Sequence, residues 1–244
     1  MEFKKLGKSD LTVSAYCLGT MTFGEATSET DSHLQIDQSL ASGINFIDTA
    51  EMYPTCPLRE ETTGDTEVII GNWIEKNKSK RADFVLATKI SGKGYKAVRN
   101  GEGIDEKSIK IAIEGSLKKL KTDYIDLYQL HWPDRGSYHF RQNWNYNPTN
   151  QDTEIAKDNI NGVLNSLSDL QKEGKIRHIG LSNETCWGTS QFLDQLKNFS
   201  NLIIASIQNE YSLLCRLYDL DMAEMSHHEN ISLLSYSPLA GGFL

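Results

Sequence analysis

The sequence predicts an α/β fold of repeated βα units around a parallel sheet. Three observations carry this prediction. Short apolar runs recur along the chain, each is followed by a longer segment of helical periodicity, and capping residues or glycines mark the joins.

The elements follow in order. FKKL and LTVS flank GKSD near the start, which predicts a small hairpin. AYCLG (15–19) is the first strand of the sheet, and Ser28 with Asp31 fits a capping box at the start of the helix after it. Gly43 sits where that helix should stop, and INFID (44–48) is the second strand. FVLATK (84–89) is the third. In the next helix Ile109, Ile113, Leu117 and Leu120 fall at i, i+4, i+8 and i+11, one face that can lie on a sheet. YIDLYQLH (124–131) follows, Gly174 ends the helix after it, and RHIGLS (177–182), IIASIQ (203–208) and ISLLSY (231–236) complete seven strands.

Two architectures accommodate seven such units: an open doubly wound sheet, or a (β/α)8 barrel without its last unit. The first needs a phosphate-binding turn, and GKGYKA (92–97) matches G-x-G-x-x-A after a strand. However, VRNGEG follows it instead of a helix, and Glu114, about twenty residues on, lies in a helical pattern instead of at a strand end.

With 39% apolar residues, 244 residues suffice for one large core, and no linker divides them, so residues 1–244 are expected to form a single domain. The net charge of -8 and the scattering of 25 basic residues argue against a nucleic-acid partner. No stretch approaches the roughly 18 consecutive apolar residues of a membrane span, and none of signal-peptide length follows Met1. The expected location is therefore cytoplasmic. Cys17, Cys56, Cys186 and Cys215 show no metal spacing and are expected to be free thiols, with Cys56, between Pro54 and Pro57, the most exposed.

The polar residues at strand ends carry the chemistry. INFIDTAEMYP runs from a buried strand into Asp48 and then Tyr53; Lys89 ends the third strand and His131 the fourth. In a parallel barrel all carboxyl ends meet on one face, so these four side chains could converge. Each alone has a plainer reading: Asp48 as a cap, His131 as a core residue, Tyr53 as packing. Lys89 is harder to set aside, because an ammonium after Val85, Leu86, Ala87 and Thr88 is desolvated and needs an anion, which Asp48 could supply. A unit charge about 4 Å from a phenol is worth about 4 kcal/mol at an effective dielectric near 20, before desolvation pushes back, so Lys89 is expected to make Tyr53 a workable proton donor near neutral pH. A neutral His131 could orient a substrate carbonyl. A lysine in this set argues against a bound metal.

GTMTFG (19–24), INFIDTAEMY (44–53), LATK (86–89), DLYQLHWP (126–133), GKIRHIGLSN (174–183), IQNEYSLL (207–214) and YSPLAGG (236–242), taken in order, resemble the aldo-keto reductase family over the whole chain. Within it the chain is most similar to the bacterial Tas-type reductases, and more distantly to the potassium-channel β subunits. The resemblance implies a (β/α)8 TIM barrel that binds NADP(H) across the strand ends and reduces aldehydes or ketones. Asp48, Tyr53, Lys89 and His131 match the family's catalytic tetrad, with Tyr53 as general acid. Ser182, Asn183 and Gln208 should bind the nicotinamide carboxamide, and Tyr236 should stack on its ring. Gly19, Thr20, Met21 and Asp48 should line the cofactor at its catalytic end, and Ser237, Leu239 and Gly241 should approach the pyrophosphate.

Relative to the family pattern the barrel is expected to lack its eighth βα unit and the C-terminal segment that usually grips the adenosine 2′-phosphate. The loop after His131 is long and aromatic, with Trp132, Tyr138, Phe140, Trp144 and Tyr146, and is expected to wall the pocket of a bulky or aromatic carbonyl substrate, with Trp132 nearest the site. The alternative is a nucleotide-binding regulatory or interaction protein of the same fold with weak or no turnover.

Overall fold

The computed structural model describes residues 1–244. Its first element is the expected hairpin, β1 (Phe3–Lys5) and β2 (Thr12–Ser14), paired antiparallel with Phe3 opposite Ser14. Seven parallel strands follow: β3 (Leu18–Gly19), β4 (Phe46–Asp48), β5 (Val85–Ile90), β6 (Ile125–Leu130), β7 (Ile176–Ser182), β8 (Ile204–Glu210) and β9 (Ser232–Tyr236). Six helices are interleaved with them: α1 (Glu29–Ala41), α2 (Asp65–Lys76), α3 (Glu106–Leu120), α4 (Thr153–Lys172), α5 (Cys186–Leu196) and α6 (Met222–Glu229).

The strands lie in the sheet in the order in which they occur in the chain. A doubly wound sheet reverses its strand order at a switch point, so this order excludes it. GKGYKA forms a loop after β5, and no α-helix opens before Glu106. The sheet also curls. Strands four apart in a flat sheet would be separated by about 19 Å at the usual spacing of about 4.8 Å. Yet a side-chain hydrogen bond of 3.1 Å joins Asp48 on β4 to Gln208 on β8. The curled wall does not close, because β3 and β9 are each paired on one side only.

Two apolar layers hold it. The larger lies between sheet and helices and contains Ile47, Leu86, Tyr128, Ile179 and Ile207 from the strands, with Ile109, Ile113 and Leu120 from α3. The smaller fills the interior near the strand starts, where Leu6, Leu11 and Val13 of the hairpin region meet Phe46, Val85, Ala87 and Leu127. The hairpin is thus a plug. Close by, Asp126 accepts from Arg81 and Arg177, each at 2.8 Å, and Arg177 reaches Asp10 of the plug at 3.1 Å.

Helix ends follow local chemistry. Ser28 accepts from the Asp31 amide at 3.1 Å, but the Asp31 carboxylate accepts from the Ser28 hydroxyl and not from the Ser28 amide, so only half of the expected capping box forms. A reciprocal box forms instead on α3, between Asp105 and Ser108. Gly43 and Gly174 adopt φ of +81° and +75°, as residues just past a helix end require. Gly71 brings α2 against the backbone carbonyl of Lys119 on α3. All four cysteines are free, with Cys17 as well as Cys56 exposed. No helix is long and apolar enough to cross a membrane.

Candidate active site

Side chains alternate along a strand, so register decides which polar residues share the interior. Asp48 pairs with Ala87, placing Lys89 two residues further along β5 on the same side, and Lys89 pairs with Gln129 of β6. Lys89 is fully buried, and its ammonium donates to Asp48 Oδ2 at 2.6 Å and to the Thr49 carbonyl at 2.8 Å. The other carboxylate oxygen of Asp48 accepts from Gln129 Nε2 at 2.8 Å and Gln208 Nε2 at 3.1 Å. This buried charge pair is compensated on all sides.

Tyr53 lies above it. The Lys89 nitrogen is 4.8 Å from the Tyr53 ring centre, and the His131 ring stands edge-on to Tyr53 at 5.8 Å. The four side chains expected to converge are therefore gathered at the carboxyl ends of β4, β5 and β6.

Burial pushes the Lys89 ammonium down, but the Asp48 carboxylate and the Tyr53 oxygen outweigh it and leave the pKa above the ordinary lysine value. Burial pushes Tyr53 up, and Lys89 offsets this only in part, so its pKa lies above the usual 10. Desolvation, expected to push back against Lys89, is the larger of the two: dehydration of the phenolate exceeds the attraction of an ammonium already held by Asp48. Tyr53 is consequently a protonated phenol at neutral pH. Burial and the nearby Lys89 charge hold His131 well below its usual 6.5, so it is neutral. Its Nδ1 is buried without a partner.

The residues assigned to a nicotinamide nucleotide occupy the ends of β7, β8 and β9 and the facing edge at β3. Ser182 donates to the Gln208 carbonyl at 2.9 Å, Asn183 Nδ2 donates to the His131 carbonyl at 2.9 Å, and the Tyr236 hydroxyl donates to Asn183 Oδ1 at 2.7 Å. Tyr236 is half-buried with its phenol pKa raised, chiefly by burial. Across the site, Gly19 has no atom within 4 Å of where a Cβ would stand, and Met21 is exposed. Thr20 is fully buried, its hydroxyl donating to the Asp48 carbonyl at 2.8 Å, so it braces the strand end. Ser237, Leu239 and Gly241 lie on the exposed turn after β9. Asn183, Ser237 and Ala240 have φ of +51°, +52° and +51°, left-handed backbone that non-glycine residues adopt at a cost. Of the nine non-glycine residues with such backbone, these three lie on the segments assigned to the nucleotide and the other six lie elsewhere in the fold. The amide-rich cluster, the half-buried phenol ring and the open space at Gly19 fit a nicotinamide.

Trp132 lies 4.8 Å from the His131 ring and stands edge-on to Phe140 at 6.0 Å. Trp132 borders a cavity of about 500 Å³ between β6, β7 and α4. Tyr138 and Phe140 border a second, of about 550 Å³, beside the loop after β8. Tyr138 also packs on Tyr146 at 6.0 Å, and Trp144 is 90% exposed. Neither cavity is lined by Asp48, Tyr53, Lys89 or His131. Of the aromatic loop, Trp132 alone packs on the His131 ring, Tyr138 and Tyr146 form a small core of their own, and Trp144 stands in solvent.

Sequence reading missed Gln129 and Arg99, and weighed Glu51 only as a metal ligand, not as the partner of Arg99. Gln129 was visible as a polar residue in a strand buried throughout, two positions before His131. Arg99 had no local signal, because it meets Glu51 from a loop 48 residues away.

A curled wall of parallel strands with a buried carboxylate–ammonium pair beneath a phenol at the strand ends defines a barrel-type protein with its titratable groups gathered on one face. A model of the aldo/keto reductase family matches residues 15–244, and the chain belongs to that family. Protein tas of Escherichia coli is 43% identical over the whole chain, which covers 70% of that protein. An uncharacterized oxidoreductase of Bacillus subtilis, YrpG, is 32% identical over the whole chain and 68% of its own length. Norsolorinic acid reductase B of Dothistroma septosporum is 29% identical over 99% of the chain and 57% of its own length.

Proposed function

We propose that the protein is an NADPH-dependent carbonyl reductase in which Tyr53 protonates the carbonyl oxygen of an aldehyde or ketone. Membership of the aldo/keto reductase family supports carbonyl reduction in general. The observation that carries the residue roles is the fully buried Lys89 held between Asp48 and Tyr53.

The nucleotide, when bound, supplies the hydride. The chain supplies the rest. Two of the three Lys89 N–H groups are taken by Asp48 and the Thr49 carbonyl, and the third is available to the Tyr53 oxygen. As Tyr53 gives up its proton, the phenolate forms beside a fixed ammonium with no solvent to reorganise. A phenol whose pKa is raised by burial is a full reservoir of that proton, and the Lys89 charge favours its release when substrate oxygen accepts it. Neutral His131 can direct an N–H at the same oxygen and hold the carbonyl without competing for the proton. Ser182, Asn183, Gln208 and Tyr236 would hold the nicotinamide, and the turn bearing Ser237, Leu239 and Gly241 would meet its phosphates. Trp132 and Phe140 favour a bulky or aromatic substrate.

Tyr53→Phe tests this reading. The variant should bind NADPH as the parent does, followed by fluorescence of the four tryptophans, while aldehyde-dependent NADPH oxidation falls by at least about a thousandfold. Undiminished turnover would remove Tyr53 from the mechanism. Nucleotide binding without turnover in the parent would favour a regulatory role for the same fold.

A further inference from the structure

Beside the tetrad lies an ion pair that the mechanism above does not use. Glu51 sits two residues before Tyr53, and Arg99 lies in the loop between β5 and α3. Their side chains are 8% and 9% exposed. Every one of the five guanidinium N–H groups of Arg99 has an acceptor. Nε and Nη2 donate to the two Glu51 oxygens at 2.9 and 3.2 Å, Nη2 also to the Ser91 carbonyl at 2.6 Å, and Nη1 to the carbonyls of Gly103 and Glu102 at 2.9 and 3.2 Å.

Glu51 in turn grips the end of β5. Its amide donates to the Lys89 carbonyl at 3.0 Å, and its Oε2 accepts from the Ser91 amide at 2.9 Å. One glutamate therefore ties the Tyr53 loop to the strand that carries Lys89. Arg99 then places a wall. The residue before it, Val98, is buried in a small cluster with Ala50, Met52 and Tyr53, against which Tyr95 and Trp132 pack.

The second observation is backbone strain. Arg99 and Asn100 adopt φ of +44° and +57° in succession, in the region that favours glycine. A loop so built persists only where its surroundings over-determine it, and five hydrogen bonds from one side chain do so here. Resting on the carbonyl-reductase reading, we propose that Glu51 and Arg99 are positioning residues, which fix Tyr53 over Lys89 and hold Val98 and Tyr95 as a dry wall against the phenol. Lysine cannot substitute for Arg99, because a single ammonium cannot reproduce the planar five-donor fork.

The test compares Arg99→Met and Arg99→Lys with the parent, each labelled with 3-fluorotyrosine. The Tyr53 fluorine resonance is assigned by its disappearance in Tyr53→Phe. The charged or titratable groups around the phenol are Lys89 from β5, Asp48 from β4, His131 after β6, Cys56 and Glu51 on its own loop, Tyr236 from β9 and Tyr95 of the wall; both substitutions retain all of them, and Arg99→Lys also keeps a positive charge beside Glu51, so a fall in both variants reports the wall and not the lost charge. Loss of the wall hydrates the phenol, so its titration midpoint should fall in both variants. The kcat for an aldehyde should fall about tenfold or more while NADPH affinity stays within about twofold, and the alkaline limb of kcat should move to lower pH. An unchanged midpoint in a folded variant would overturn the proposal, as would a kcat that falls only in proportion to the folded fraction. A parent that binds NADPH but does not turn over would sink the carbonyl-reductase reading, and the fluorine midpoint would still decide whether the wall acts on Tyr53.

Discussion

Lys89 donates a 2.6 Å hydrogen bond to Asp48 with none of its own surface open to water. A charge so placed has no alternative partner. Removing Asp48 leaves the ammonium in a dry interior, and breaking a buried pair from one side costs about 3–5 kcal/mol.

Asp48→Asn should therefore lower stability by that order, and it should also change its pH dependence. In the parent the folded-state pKa of Lys89 lies above the unfolded value. Its contribution is present at neutral pH and is lost as pH rises through the folded pKa. In the variant burial remains while the carboxylate is gone, so the folded pKa falls below the unfolded one. Stability should then rise with pH between neutral and about 10. Urea unfolding at pH 7 and pH 9.5 reads both signs, and a variant that loses stability on that change would contradict the assigned pairing.

His131 should leave no trace of titration in the rate. Burial and Lys89 hold it neutral well below its usual range, so kcat/KM should be flat from about pH 6 to pH 8. A limb in that window that disappears in His131→Gln would show that the imidazole charges there.

Gly71→Ala tests packing away from the chemistry. A Cβ at Gly71 would stand 1.9 Å from the Lys119 carbonyl oxygen, with backbone on both sides of the contact. Helices α2 and α3 would have to part. A loss of about 3 kcal/mol, seen as a Tm lower by several degrees with kcat unchanged, is the expected result.

Trp132→Ala should separate substrates by size. The indole is packed between His131 and Phe140, so KM for an aromatic aldehyde should rise about tenfold while that for a two-carbon aldehyde changes little. Equal effects on both would place the pocket elsewhere.

Much of the frame was legible in the sequence because it rests on local patterns. Runs such as FVLATK and IIASIQ report burial on both faces, and Gly43 and Gly174 report helix ends, without knowledge of any neighbour. The convergence of Asp48, Lys89 and His131 followed from strand ends alone. What was not legible depends on distances across the fold. Gln129 and Gln208 come to share one oxygen of Asp48 only because the sheet curls. The balance at Tyr53 was not legible because charge is countable in a sequence, whereas the extent of dehydration depends on Val98 and its neighbours closing over the ring. Arg99 is silent in the sequence because the acceptors of its five donors come together only where its loop folds back on Glu51.

The sheet that carries these residues is paired on only one side at β3 and at β9. Asp48, Lys89 and His131 belong to strands flanked by neighbours on both sides, whereas Tyr236 closes the last strand, whose outer backbone groups face no partner strand. Thermal fraying starts where a strand has one neighbour. It would loosen the Tyr236–Asn183 bond and the turn beyond it long before it reached Lys89. On the proposed reading that bond and that turn meet the nucleotide, so nucleotide affinity should be more sensitive to temperature than the geometry of Asp48 and Lys89.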